Sequence, residues 1–292
     1  GGGSPIDTAK IVAALALDRR PIASLKVPVI TDRPGLPIIA IPTTAGTGSE
    51  ATRVTIITDE DTSEKMLCMG LAFLPTIAIV DYELTLTKPR RLTADTGIDS
   101  LTHAIEAYVS KRANPFSDAM ALSAMRLIST NIRRACDEPG DHDARAAMMV
   151  GAHHGGIAFS NSSVALVHGM SRPIGAFFHV PHGLSNAMLL PAVTRFSAPS
   201  ALVRYATCAR TMGAAGEDEG DQSAVARLVD ELEQLNSDLN VPTPQSHGIA
   251  RDRWFDLIPT MAEQAIASGS PANNPRDASA AEIRALYQSV YG

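Results

Sequence analysis

Two regimes of hydrophobic patterning divide the chain near residue 90. Before it, apolar residues come in short continuous runs between polar, Gly- and Pro-rich stretches; after it they recur with helical period over long segments. Residues 37–41 and 76–80 are continuous apolar runs of the kind carried by parallel strands buried on both faces. Residues 53–58 and 65–69 read as strands flanking a polar turn at 59–64, a hairpin that edges the sheet. Ser4-Pro5-Ile6-Asp7 reads as a helix start, with Ser4 as N-cap, Pro5 in the first turn and Asp7 at the reciprocal capping position. That helix is expected to run to Leu17, with Ile6, Ala9, Ala13 and Leu17 on one face. Beyond the boundary, helices are expected over 93–110, 115–136, 141–159, 198–212, 221–239, 251–268 and 279–290, with Pro89, Pro115, Pro139, Pro199 and Pro271 between or beside them. The architecture read from this pattern is an α/β, Rossmann-like unit over 1–90, followed by an all-helical unit over 91–292.

Chemistry concentrates in four stretches. Gly1-Gly2-Gly3 before a capped helix lets backbone N–H groups approach an anion closely, and the helix N-terminus favours a pyrophosphate there. Pro42-Thr43-Thr44-Ala45-Gly46-Thr47-Gly48-Ser49 is a hydroxyl- and glycine-rich loop at the carboxyl end of a strand, where open α/β sheets bind ligands. Asp99 and His103 stand four residues apart on a helix and project from one face. His168 and His182 lie in a run that Pro173 and Pro181 keep from forming one unbroken helix, so they are expected on two elements that converge. One carboxylate and three imidazoles suit Fe²⁺, Zn²⁺ or Mn²⁺. Alone, a helical Asp-x-x-x-His pair is more often chance than a metal site, and His168 reads equally well as a satisfied core residue; the glycines and prolines around the later two histidines are what suggest a shaped site.

These stretches together resemble the iron-containing (group III) alcohol dehydrogenase family. The matching segments are residues 1–10, the Pro-Thr-Thr-Ala-Gly-Thr-Gly-Ser-Glu loop at 42–50, Gly-Ile-Asp-Ser-Leu-Thr-His-Ala-Ile-Glu-Ala-Tyr at 97–108, and the run 168–187. The resemblance implies metal ligands at Asp99, His103, His168 and His182. It implies cofactor contacts at Gly1, Gly2, Gly3, Ser4, Asp7, Thr43, Thr44, Thr47, Lys65 and Leu84; Lys65 reads equally as a solvated edge lysine. The implied activity is reversible hydride transfer between NAD or NADP and a small alcohol, aldehyde, hydroxy acid or oxo acid, with the divalent ion as Lewis acid. A homodimer or larger homo-oligomer is implied for the full-length protein. Set against the family, the first part of the nucleotide-binding domain is missing, roughly 60–90 residues at ~30 per βαβ unit, so the chain reads as N-terminally truncated. Two other readings are a metal-dependent lyase or synthase of the dehydroquinate-synthase kind, whose relatives lack the 42–50 loop in this form, and a truncated chain that binds metal only.

The sequence departs from the family at one informative place. Alcohol-reducing relatives often carry a second histidine four residues after the third ligand; here that position is Arg172. Arginine does not shuttle protons at working pH, but it clamps a carboxylate with two parallel hydrogen bonds. Arg172 therefore reads either as a clamp for an anionic substrate or as the partner of a protein carboxylate or cofactor phosphate. His179 is the candidate for a relay through water.

Composition narrows the partners. A net charge of −6, with no basic block and few aromatics, argues against nucleic acid. Cys68, Cys136 and Cys208 are scattered and odd in number, as expected of reduced thiols in a cytoplasmic protein. No apolar run is long enough to span a membrane. The remaining histidines, His142, His153, His154 and His247, read as turn, packing or loop residues.

Overall fold

The computed structural model describes residues 1–59 and 65–292. Its first helix, α1 (Gly3–Leu15), starts two residues before Pro5, with Gly2 and not Ser4 as N-cap and no side-chain cap. Asp7 does not close a capping box; its Oδ1 accepts from Ser49 Oγ at 2.6 Å and its Oδ2 from the Ile56 amide at 2.9 Å. The helix buries Ile6, Lys10, Ile11, Ala13 and Ala14, while Ala9 and Leu17 face solvent, so the expected face is rotated. Lys10 is the reason: its ammonium is buried and donates to Thr52 O, Thr52 Oγ1 and Val54 O at 3.0, 3.0 and 2.8 Å. A buried amine with three acceptors fixes the rotation of α1 against the chain entering the next strand.

Strands β1 (Ile39–Ala40) and β4 (Ile77–Ala78) pair in parallel, and β2 (Val54–Thr58) and β3 (Lys65–Met69) pair antiparallel. The hairpin forms, but it makes its own two-stranded sheet and does not edge the β1–β4 pair. Most of its expected turn, 60–64, lies outside the described residues. A small core of Ile11, Ala14, Leu25, Cys68, Ala72 and Phe73 joins α1 to the hairpin.

From residue 90 the chain is helical: α2 (Arg90–Val109), α3 (Pro115–Asp137), α4 (His142–Ser162), α5 (Leu166–Phe178), α6 (His182–Ser197), α7 (Leu202–Thr211), α8 (Asp221–Asp238), α9 (Arg251–Ala267) and α10 (Ala280–Ser289). Asn114 starts α3 with a capping box to Ser117 and Pro115 in the first turn, as the sequence chemistry dictates. α2 is buried almost all the way round from Thr93 to Val109, the signature of a central helix. It packs on α3, α4 and α6, and the large core gathers around it. Pro173 is accommodated inside α5; the break comes at 179–181, where His179 adopts the left-handed conformation at the C-cap and Pro181 bars its predecessor from helix. No helix among the described residues is long and apolar enough to cross a membrane.

Candidate metal centre and cofactor loops

Three helices deliver the four candidate ligands. Asp99 and His103 project from the middle of α2, His168 from the first turn of α5 and His182 from the first residue of α6. One ligand atom each from Asp99, His168 and His182 lies within 4.8 Å of the others. From Asp99 Oδ1, the Nε2 atoms stand at 3.5 Å for His168, 3.7 Å for His182 and 3.8 Å for His103. His103 sits at the side of the trio, its ring stacked on His168 at 4.5 Å and on Phe159 at 4.3 Å. The pair of elements expected to converge therefore does so, and the helical i, i+4 pair is in place. The close approach of α6 to α2 depends on Gly183: a Cβ there would overlap the Asp95 carbonyl, 2.7 Å from its carbon.

The acceptors converge on a single donor. Asn186 Nδ2 lies 2.7 Å from Asp99 Oδ1, 3.2 Å from His168 Nε2 and 3.4 Å from His182 Nε2. Asn186 Oδ1 and His103 Nδ1 are buried without a partner. Lone pairs of one carboxylate and two imidazoles meeting in so small a volume, with a third imidazole beside them, suit a divalent cation. Asp99 and His168 are nearly closed off, at 4% side-chain exposure, whereas His182 is 47% exposed, so the open approach lies on the His182 side.

Charge is shared unevenly. Burial opposes ionisation of Asp99, but the charges of His103, His182 and His168 hold its carboxyl well below the usual range. Burial pushes His103 down to about 3. His182 is pushed down to about 4, first by desolvation of its ring and further by the charges of His168, Arg172 and Lys65, with Asp99 opposing. In His168 burial is outweighed by the charge of Glu106 and hydrogen bonds to Asp99 and Glu106, which raise it to about 9.

Glu106 and Asn186 are the two residues that the sequence reading missed. Glu106 accepts from His168 Nδ1 at 2.6 Å and from the amides of Ala165 and Val167 at 2.9 and 2.6 Å. It ties down the Nδ1 side of His168 and leaves Nε2 facing Asp99, the arrangement by which carboxylates orient ligating histidines. A signal existed for both: Glu106 stands three residues after His103 and Asn186 four after His182, each on its ligand's helix face.

The glycine and threonine segments also come together. The Thr43 amide donates to Gly1 O at 2.9 Å, and the Gly1 amino group to Ile41 O at 3.0 Å. Ideal Cβ atoms on Gly2 and Gly3 would meet the side chains of Thr44 at 3.6 Å and Thr47 at 3.0 Å. The same loop reaches α2 through a 2.7 Å bond from Ser100 Oγ to Gly46 O. It is pinned on α4 where Gly48, at a φ of 61°, lies against Gly156. Ser4 is exposed beside it. Both oxygens of Asp7 already accept hydrogen bonds, from Ser49 Oγ and the Ile56 amide. Leu84 lies exposed in the 3₁₀ turn Tyr82–Thr85, and Thr85 shares a small cleft with Thr44 and Thr96. Lys65 opens β3, and its charge bears on His182.

Arg172 stands one turn beyond His168 on α5. It makes no hydrogen bond or ion pair among the described residues, so the protein-carboxylate reading finds no partner. His179 is exposed at the end of α5, with no hydrogen bond or ring contact that ties it to the ligand cluster. His153 and His154 do more than pack: they meet Glu50 and Ser123 at 3.0 and 2.9 Å. His142 begins α4, with Nδ1 3.2 Å from the Tyr82 hydroxyl. A groove of about 490 Å³ between α6, α7 and α8 contains none of the four candidate ligands.

Comparison with known proteins points one way. Residues 1–82 match the family model described as iron-containing alcohol dehydrogenase, and residues 93–291 the model for the C-terminal part of the Fe-containing alcohol dehydrogenase family. The chain is 36% identical to the lactaldehyde reductase of Escherichia coli K12 over 294 aligned positions, covering 100% of this chain and 75% of that protein. A crystal structure of 1,3-propanediol oxidoreductase superposes with a TM-score of 0.95 at 35% identity, over 100% of this chain and 75% of that one. The sulfoacetaldehyde reductase of Bifidobacterium kashiwanohense, solved with NAD⁺, gives a TM-score of 0.89 at 28% identity, with the same coverage.

Proposed function

The chain belongs to the iron-containing alcohol dehydrogenase family and is an oxidoreductase, and from that premise we propose where and on what it acts. Asp99, His103, His168 and His182 hold one divalent ion, Fe²⁺ or in its place Zn²⁺ or Mn²⁺. Gly1–Gly3, Ser4, Thr43, Thr44 and Thr47 receive the phosphates of NAD or NADP, and Lys65 and the Leu84 turn flank them. The substrate is a small alcohol or the corresponding carbonyl compound, in keeping with relatives named for lactaldehyde, 1,3-propanediol and sulfoacetaldehyde. The relatives that match are named as reductases and dehydrogenases, which favours hydride transfer over a synthase reaction.

The observation that carries the reading is the convergence of three helices on one set of lone pairs, within 4.8 Å for the buried Asp99 and His168 and the exposed His182. When bound, the ion supplies Lewis-acid polarisation of a substrate oxygen and the nicotinamide supplies or takes the hydride. The protein's part is placement. Glu106 orients His168, Asn186 holds the Asp99 carboxylate, and Ser100 ties the cofactor loop to the ligand-bearing helix. Asp7 fixes Ser49 at the end of the loop.

The test is anaerobic reconstitution of the protein with Fe²⁺, Zn²⁺ or Mn²⁺, followed by fluorescence titration of NADH and NADPH and an assay on short aldehydes. Nicotinamide oxidation that requires a divalent ion is the expected result. Metal-independent turnover, or binding of neither nucleotide, contradicts the proposal.

A further inference from the structure

Arg172 is a charged side chain that makes no hydrogen bond or ion pair among the described residues. It is half-buried on α5, four residues after His168 and so on the same helix face, about 5–6 Å away at the β-carbon. Burial works against its charge and only Glu106 offsets that. Yet Glu106 already accepts three hydrogen bonds, from Ala165, Val167 and His168, and none comes from Arg172. Of the part-buried arginines of the helical region, Arg133, Arg204, Arg210 and Arg276 each donate to a protein carboxylate or carbonyl, whereas Arg284 on α10 shares with Arg172 the lack of a hydrogen-bond acceptor among the described residues. A guanidinium whose charge burial disfavours gains from an anion that can accept its hydrogen bonds.

Its surroundings sharpen the point. The charges of Arg172 and Lys65 both bear on His182, the ligand on the open side of the site. Asp99 is the carboxylate among the ligands, and its negative charge already faces three imidazoles. A divalent ion in this set would leave the open side with a further excess of positive charge. One turn beyond His168 on α5, the planar fork of donors of Arg172 suits an anion that reaches this site.

We propose that Arg172 recognises an anionic group on the substrate, a carboxylate or sulfonate close to the reacting carbon, so that short oxo acids or oxo sulfonates and their hydroxy counterparts are the preferred substrates. This rests on the oxidoreductase reading above and specifies its substrate class. The anion has one other possible source, a phosphate of the dinucleotide, and the experiment separates the two.

The metal-loaded protein is assayed with 4-oxobutanoate and with its uncharged methyl ester, as wild type and as Arg172→Ala and Arg172→Lys. Metal content and NADH affinity are measured on the same preparations. The expected result is a loss of about 30-fold or more in kcat/KM on the carboxylate for Arg172→Ala, the scale found for truncating one side of a buried charge pair. The loss on the ester should be under about threefold, with metal content and NADH affinity unchanged, and Arg172→Lys should fall between. Equal losses on both substrates together with weakened NADH binding assign Arg172 to a cofactor phosphate and overturn the proposal; unchanged rates on both overturn it as well. Calorimetric titration of wild type with butanoate and butanamide supplies a readout independent of turnover and of the variant's folding. Tighter binding of the carboxylate, by about tenfold, is expected, and equal binding overturns the proposal. Wild type that reduces neither aldehyde while binding butanoate selectively would fault the oxidoreductase reading and leave the anion site standing.

Discussion

Replacing Glu106 by glutamine removes one charge and almost no volume, so its effect is set by the hydrogen bonds around the carboxylate. One carboxylate oxygen accepts from the Val167 amide at 2.6 Å; the other accepts from the Ala165 amide at 2.9 Å and from His168 Nδ1 at 2.6 Å. All three partners are donors in this arrangement, and Ala165 is the N-cap of α5 without a side-chain cap of its own. Glu106, reaching over from α2, therefore does the capping, and its charge suits the helix N-terminus. A carboxamide has one acceptor end. Whichever way it is turned, its NH₂ faces a backbone N–H, and in one orientation it also forces His168 to accept at Nδ1 and carry its proton on Nε2. One orphaned donor costs about 1–3 kcal/mol. Loss of the carboxylate behind a ligating histidine lowers metal affinity by about 10–100-fold. The assay is a competition between the protein and a chelator of known affinity for Zn²⁺, run beside urea unfolding of the metal-free protein. If Glu106→Gln loses stability but binds Zn²⁺ as tightly as wild type, Glu106 is only a helix cap and the claim that it positions His168 is wrong.

Gly183→Ala pushes the start of α6 away from α2, because its Cβ overlaps the Asp95 carbonyl and lies 3.3 Å from Asp99 Cβ. A shift of roughly 1 Å should destabilise the fold by about 1–3 kcal/mol and weaken metal binding through His182; unaltered affinity for Zn²⁺ in the chelator competition would mean that the helix contact does not set the ligand geometry. Lys10 gives a pH signature. Burial lowers its pKa to about 8 from 10.5 against the pull of Asp7 and Glu50. Between those values the unfolded chain binds more protons than the folded one, so Lys10 makes stability rise with pH there and costs stability below about 8. Relative to Lys10→Met, wild type should gain up to about 3 kcal/mol across that window, at 1.36 kcal/mol per unit. Urea midpoints of both proteins measured from pH 7 to 10.5 check this, and a difference that stays flat contradicts it.

Much of the site was legible because its chemistry is written in local spacing. Asp99 and His103 declare a helix face by themselves, and Pro181 declares that His168 and His182 belong to different elements. The glycines ahead of α1 and the threonine loop each read as a ligand-binding segment, and the fold sets them side by side. What failed to show was whatever depends on a partner from elsewhere. Ser4 looked like a cap, but the bonds of Lys10 to Thr52 and Val54 help set the rotation of α1, which starts earlier, at Gly3. The hairpin's apolar residues announce strands without saying which sheet they join, and β2–β3 stays apart from β1–β4. Arg172 is the opposite case: its identity was visible in the sequence, but only the fold shows that no protein carboxylate among the described residues claims it.

The central claim is that Asp99, His103, His168 and His182 hold one divalent ion, and metal stoichiometry tests it most directly. Wild type, His103→Ala, His182→Ala and the control His179→Ala are loaded anaerobically with Fe²⁺ or Zn²⁺, freed of excess metal and analysed for bound ion and for fold by circular dichroism. The account predicts about one ion per chain in wild type and His179→Ala, and a loss of most of it in His103→Ala and His182→Ala with the helical signal intact. Full stoichiometric metal in both ligand variants would contradict it.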